Sequence, residues 1–179
     1  MKNLLAIDCL LGILLMVSCR QPPDDAEMYA NLKGTAFSPD SLHIKQAGGK
    51  CLHGQVLYLP VYSSIPKGEY HGYYDLSAFL AIHNTDMKNK IRITRVYYFN
   101  NEGQLVRNYL KEVQTLNPLA ATSFFVPIRD KSGTGSNFLV EWMADSLVNE
   151  PLVESVMLNL ASGQGVSFIS QGKVIRESQ

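Results

Sequence analysis

Tyr74-Asp75-Leu76-Ser77-Ala78-Phe79-Leu80-Ala81-Ile82-His83 is the stretch on which the fold turns. Tyr74, Leu76, Ala78, Leu80 and Ile82 fall at every second position, with Asp75, Ser77 and His83 between them. Successive side chains of a strand point to opposite faces, so this spacing gathers the apolar set on one side. A helix would scatter the same residues around its circumference. The segment therefore predicts a strand with one face inward. Asn84-Thr85-Asp86 closes it, because Asn and Asp side chains bond readily to their own backbone in turns.

The same rhythm extends in both directions. Val56 to Tyr62 reads as a strand that contains Pro60, which has no amide proton to give a neighbour and so suggests an edge or a bulge. In Ile91 to Phe99 the apolar parity switches between Ile93 and Val96, which predicts a bulge near Thr94. Asn100-Asn101-Glu102-Gly103 is the strongest hairpin signal, since Asn and Gly tolerate the positive φ of tight turns. Gln104 to Leu110 returns from it. Phe124, Val126 and Ile128 alternate, as do Phe138, Val140, Trp142 and Ala144, on either side of a loop at Asp130 to Ser136. Val153 to Leu160 is mostly apolar, and periodicity alone leaves strand and helix open there. Gly165 to Ser170, a turn at Gln171-Gly172, and Lys173 to Ile175 read as a closing hairpin. Short strands with turn signals every ten residues or so indicate an all-β fold. The expectation is an immunoglobulin-like antiparallel β-sandwich of about seven to nine strands.

The N-terminus has a different character. Lys2 precedes an apolar run from Leu4 to Val17, too short to span a bilayer comfortably, and Ser18 and Cys19 follow. Asp8 interrupts the run, and Cys9 behind it has too little apolar chain before it to mark a cleavage site. Met16-Val17-Ser18-Cys19 resembles the lipobox of bacterial lipoproteins, which implies cleavage before Cys19 and acylation of that cysteine. The expected organisation is a signal peptide at 1–18, a lipidated tether at 19–53 and a sandwich domain at 54–179. Breakers such as Pro22-Pro23, Ser38-Pro39-Asp40-Ser41 and Gly48-Gly49 support the tether.

Sixteen basic residues balance sixteen acidic ones, so no electrostatic case exists for nucleic acid as a partner. With Cys9 removed and Cys19 acylated, Cys51 stands alone, and the mature domain has to hold together by packing instead of an internal disulfide.

Candidate sites are few. Gly133-Thr134-Gly135-Ser136 could offer amides to a phosphate, yet a strand and not a helix follows, so a flexible hairpin loop is expected. Cys51 with His53, His43, His71 and His83 provides thiolate and imidazole, the ligand types for copper or zinc, at spacings that match neither metal's usual motifs. Carboxylate pairs such as Asp75 with Glu69, or Glu141 with Glu154, are what any solvated surface offers. No nucleophile elbow and no His-Glu-x-x-His helix occurs. Trp142 shares the parity of Phe138 and Val140 and is expected in the core. Tyr70, Tyr73 and Tyr74 follow Pro66-Lys67-Gly68 and could present rigid rings to a partner. The expected partner-binding residues are Tyr70, Tyr73, Tyr74, Gly133 and Gly135, with Cys19 as the lipidation site and no cofactor.

Several segments occur in a familiar order: Tyr58-Leu59-Pro60-Val61-Tyr62-Ser63, Ile82-His83-Asn84-Thr85-Asp86, Val96-Tyr97-Tyr98-Phe99, Gly133 through Trp142, and Gly165-Val166-Ser167-Phe168. Together they resemble a bacterial domain family of unknown function found mostly in secreted and lipid-anchored proteins. The resemblance implies an envelope location and brings no functional residues with it. More loosely, the chain is similar to small sandwich domains of the water-stress and lipoprotein-accessory kind, which act as binding or structural modules. The expected function is a non-enzymatic, lipid-anchored interaction or accessory module of the cell envelope, touching the membrane through its lipid and another envelope protein through its domain. The alternative is a periplasmic metal- or small-ligand-binding protein using Cys51 and the histidines. In cells fed labelled fatty acid, the full chain should take up label, and Cys19→Ala should abolish it. A Cys19→Ala protein that stays uncleaved and fully membrane-bound would show a helical anchor instead.

Overall fold

The computed structural model describes residues 36–42, 53–68, 72–128, 130–160 and 165–178. After a 3-10 turn at Pro39–Ser41, twelve strands follow in chain order. They are β1 (His53–Pro60), β2 (Ser64–Pro66), β3 (Tyr73–Asp75), β4 (Ser77–His83), β5 (Ile91–Phe99) and β6 (Leu105–Asn108). Then come β7 (Gln114–Leu116), β8 (Ala121–Val126), β9 (Asn137–Ala144), β10 (Leu152–Asn159), β11 (Val166–Gln171) and β12 (Lys173–Glu177). One sheet runs β12-β1-β9-β5-β6, with β7 also on β5; the second runs β11-β10-β4-β8; β2 and β3 form a separate ribbon. All pairings are antiparallel, and the two large sheets make a sandwich. The count exceeds seven to nine because β2, β3 and β7 are only three residues long, too short to show a period in sequence.

Alternation builds the core. Leu57, Val140 and Val96 share a rung, as do Leu59, Phe138 and Tyr98, and all face the second sheet. From that sheet Ala78, Leu80, Ile82, Val126, Val153 and Met157 point back. Each fully buried large side chain contributes roughly 1.5–3 kcal/mol relative to exposure. The predicted bulge lies between Ile93 and Arg95. Pro60 ends β1 beyond Gln55 to Tyr58, the stretch paired with β12, so its missing amide costs that ladder nothing. Val153 to Leu160 resolves as strand β10, whose buried positions alternate at Val153, Ser155, Met157 and Asn159.

The expected closing hairpin is not formed. β11 pairs with β10 in one sheet and β12 with β1 in the other, so the chain crosses the sandwich at Gly172. Gly172 donates its N–H to the Val153 carbonyl at 2.9 Å. A Cβ there would stand 3.2 Å from Leu57 Cδ2 and 3.3 Å from the Val153 carbonyl oxygen, so the corner needs glycine for space.

The outer face of the six-stranded sheet is also covered. Val56, Leu139, Tyr97 and Phe99 are buried there, with Leu42 and Phe37 packed on them. The Phe37 ring lies 4.9 Å from Phe99 and 5.7 Å from Tyr97, both edge to face. Residues 36–42 belong to the stretch expected as tether, and these two side chains pack on the domain.

Trp142 is fully buried and its indole N–H has no acceptor. Trp142→Phe removes that unmatched donor along with some volume, so the two effects oppose and stability in urea should change by ~1 kcal/mol or less. Trp142→Ala leaves a cavity and should cost ~3–5 kcal/mol.

Candidate functional site

Both ends of the sandwich are tied by buried polar side chains. At one end Asn84 Nδ2 donates to the carbonyls of Asn89 and Asn117, each at 2.9 Å, and Asn84 Oδ1 accepts the Asp86 N–H. The Asp86 carboxylate accepts the N–H groups of Lys88 (2.8 Å), Asn89 (2.7 Å) and Asn149 (3.0 Å). Those three amides favour the charged form and hold the carboxyl at about 2. Thr85 adds a bond to the Glu150 carbonyl, so one turn fastens three loops.

At the other end the Tyr98 hydroxyl donates to Asp130 Oδ2 at 2.7 Å, and Ser132 bonds both oxygens of that carboxylate. Burial, and then the Asp130 charge, push the phenol well above its usual range. The glycine loop hangs from this network. Gly133 N–H donates to Ser63 Oγ at 2.9 Å, and Gly135 N–H to Asn101 Oδ1 at 2.6 Å. Gly133 takes φ 104, and Asn101 lies where a Cβ would be, 2.5 Å away at its nearest atom. The amides of Gly133 and Gly135, expected as exposed donors, therefore already have acceptors within the chain.

The other expected residues are placed as follows. Tyr73 is 59% exposed on β3, opposite Pro66. Tyr74 is half-buried opposite Ile65, with the Lys67 ammonium 4.8 Å above its ring. Trp142 is core, and His53 meets its edge at 5.0 Å. His83 ends β4, opposite Leu152 and Ala121. Glu141 is buried in the six-stranded sheet, bonded to the Thr94 hydroxyl, whereas Glu154 lies in the other sheet. Cys19, Tyr70, Cys51, His43, His71 and Glu69 lie outside the described residues. Among the described residues no group of three or more His, Cys, Asp or Glu is arranged to hold a metal ion.

One surface feature escaped the sequence. On the outer face of the four-stranded sheet Ile169 stands opposite Val156, Val156 opposite Phe79, and Phe79 opposite Phe125. This apolar row crosses all four strands, with Ile169 62%, Phe79 40% and Phe125 54% exposed. Leu152 adds to the same face. Beside Ile169 an open groove of about 370 Å³ is lined by Tyr62, Ile65, Phe168, Ile169 and Ser170. The signal was present as apolar residues at the solvent-facing parity: Phe79 sits between Ala78 and Leu80, and Phe125 between Phe124 and Val126.

Fold and surface define an antiparallel β-sandwich domain with polar ties at both ends and one apolar outer face. The chain belongs to the family described as protein of unknown function (DUF3124), which it matches over residues 54–175. No curated protein matches it. Among solved structures, the crystal structure of Thermotoga maritima 1070 is similar at 12% identity over 70% of this chain and 95% of that one, with a TM-score of 0.36.

The Asp86 carboxyl titrates lower in the folded state than unfolded, so its contribution is complete above the ordinary carboxylate value near 3.8 and disappears as pH falls toward about 2. Asp145, lowered by its Arg92 hydrogen bond, acts in the same direction from an exposed site. The thermal midpoint should fall from pH 4 to pH 2. Asp86→Asn should lower it at neutral pH and flatten that acid dependence, and an unchanged slope would show that other groups carry it.

Proposed function

We propose that this chain is a non-enzymatic interaction module of the bacterial cell envelope, anchored to a membrane through lipid on Cys19. Its working surface is the outer face of the four-stranded sheet, which receives another envelope protein. The observation that carries the reading is the row Ile169–Val156–Phe79–Phe125, which leaves aromatic and branched side chains in water across a whole sheet. Scattered exposed apolar residues are ordinary, but a contiguous patch on a rigid sheet marks an interaction surface. Buried aromatic anchors commonly dominate such contacts. Residues 36–42 support the orientation, because Phe37 and Leu42 cover the opposite outer face. The polar groups at both sandwich ends are engaged in holding loops, which favours a binding role over a reactive centre.

In intact cells, a photo-cross-linking residue at Leu152, 42% exposed on this face, should give one discrete protein adduct. The same residue at Lys90, in the loop before β5, should give none. Phe79→Ser combined with Phe125→Ser should remove the Leu152 adduct while leaving the thermal midpoint within a few degrees. Equal adducts from both positions, or none from Leu152, would overturn the choice of face.

A further inference from the structure

Among the described residues the two sheets end in edges that are protected in different ways, and β11 lacks those protections. An open edge exposes unpaired N–H and C=O groups, and proteins blunt it with charge, bulges, short length or a cover. β12 carries Lys173, Arg176 and Glu177 in five residues and has a bulge opposite Val56/Leu57. β6 and β7 are four and three residues long. β8 has the Tyr109 hydroxyl on its Phe125 carbonyl at 3.0 Å and a Gln114–Thr122 side-chain bond along it. β11 reads Val166-Ser167-Phe168-Ile169-Ser170-Gln171: six residues without charge, proline or glycine, paired to β10 in unbroken register.

We propose that β11 pairs antiparallel with β11 of a second copy of this chain about a two-fold axis, joining two four-stranded sheets into one of eight strands. Charge favours that occupant. Identical uncharged strands can meet in any register without like charges opposing each other. Opposed residues in a sheet share a face, so an inward residue cannot oppose an outward one. This rule admits a two-fold axis at any residue of β11. We place it at Ile169, the most exposed apolar side chain of the strand, which then meets its own counterpart. Phe168, turned inward against Tyr62 at 5.8 Å, then faces Ser170 of the second copy. The apolar row then runs without a break through both copies. The groove of Tyr62, Ile65 and Phe168 lies along the joint and takes side chains of the second copy.

Area sets the strength. An edge six residues long spans ~20 Å, and two layers ~10 Å apart with their side chains give a contact on the order of 400 Å² per copy. A stable standard interface needs ~800 Å² per partner. The dimer is therefore weak and concentration-dependent in solution. Anchoring, if the proposed lipid is present, raises the effective concentration at the membrane and with it the dimer fraction.

The test is cysteine cross-linking of the full chain in a Cys51→Ser background, both in membranes and purified in detergent at increasing concentration. Directly opposed residues have Cα atoms ~4.5–5.5 Å apart, within the reach of a disulfide. Ile169→Cys should give a disulfide-linked dimer, while Phe125→Cys on the far edge of the sheet should stay monomeric. Adding Ser167→Lys and Gln171→Lys, both at exposed positions, sets like charges opposite one another in this register and should cut the yield at least tenfold with the circular dichroism unchanged. Cross-links from Phe79→Cys in place of Ile169→Cys would mean that faces meet and not edges, which overturns the proposal, as does a monomer in both settings. Dimer in concentrated detergent without enrichment in membranes keeps the edge pairing and removes only the anchoring step. Fatty-acid labelling of Cys19 with no Ile169→Cys dimer does the reverse.

Discussion

β9 is buried on both faces, and the rest of the molecule is arranged to make that possible. Every residue from Phe138 to Ala144 is shielded from water. Its inward set fills the sandwich with Phe138, Val140 and Trp142, while Leu139, Glu141 and Met143 point the other way. A strand hidden on both sides has to surrender its backbone groups entirely to neighbours, which β1 and β5 supply along its length. The outward set then needs a cover as well. Phe37 and Leu42 supply part of it from beyond the sandwich, which is why a stretch that reads as linker contributes to packing. Glu141 is the exception inside this arrangement. Its Oε1 accepts the Thr94 hydroxyl, and its Oε2 has no partner. Burying a carboxylate oxygen unmatched is costly, and the strand tolerates it at its centre.

The inner faces were legible because alternation is a local property. Leu76, Ala78, Leu80 and Ile82 could be assigned inward from spacing alone, as could Phe138, Val140 and Trp142, and the bulge after Ile93 showed as a change of parity. Tyr74, read as part of the same strand, instead lies half-buried on β3 in the separate ribbon, because the strand breaks at Leu76. What failed depended on distant partners. Gly133 and Gly135 look like free donors until the fold brings Ser63 and Asn101, 70 and 34 residues away, to their amides. A glycine between two short β runs reads the same whether it turns a hairpin or lets a strand change sheets, and only the packing against Leu57 separates the two at Gly172. The apolar outer row was missed for a simpler reason. Once one parity has been assigned to the core, an aromatic at the other parity, such as Phe79, is easily passed over.

The polar ties divide the labour differently from the apolar layers. Asn84 and Asp86 engage mainly backbone groups, so they fix the path of the loops they hold. Tyr98 combines both roles, since its ring packs on Phe138 at 4.9 Å while its hydroxyl reaches Asp130. The sandwich thus gains a defined end from side-chain hydrogen bonds and ring packing.

The pairing of β1 with β12 has a bearing on biogenesis. Gln55 and Glu177 meet across 122 positions of sequence, so the first strand of the domain completes its sheet only when the last has been made. Topologies dominated by such distant pairings fold slowly, because a long loop has to close before any contact rewards it. A nascent chain of this kind cannot complete its larger sheet until the last strand has been made. Any contact that β1 makes earlier is with β9 alone on one side, and its other edge waits for β12.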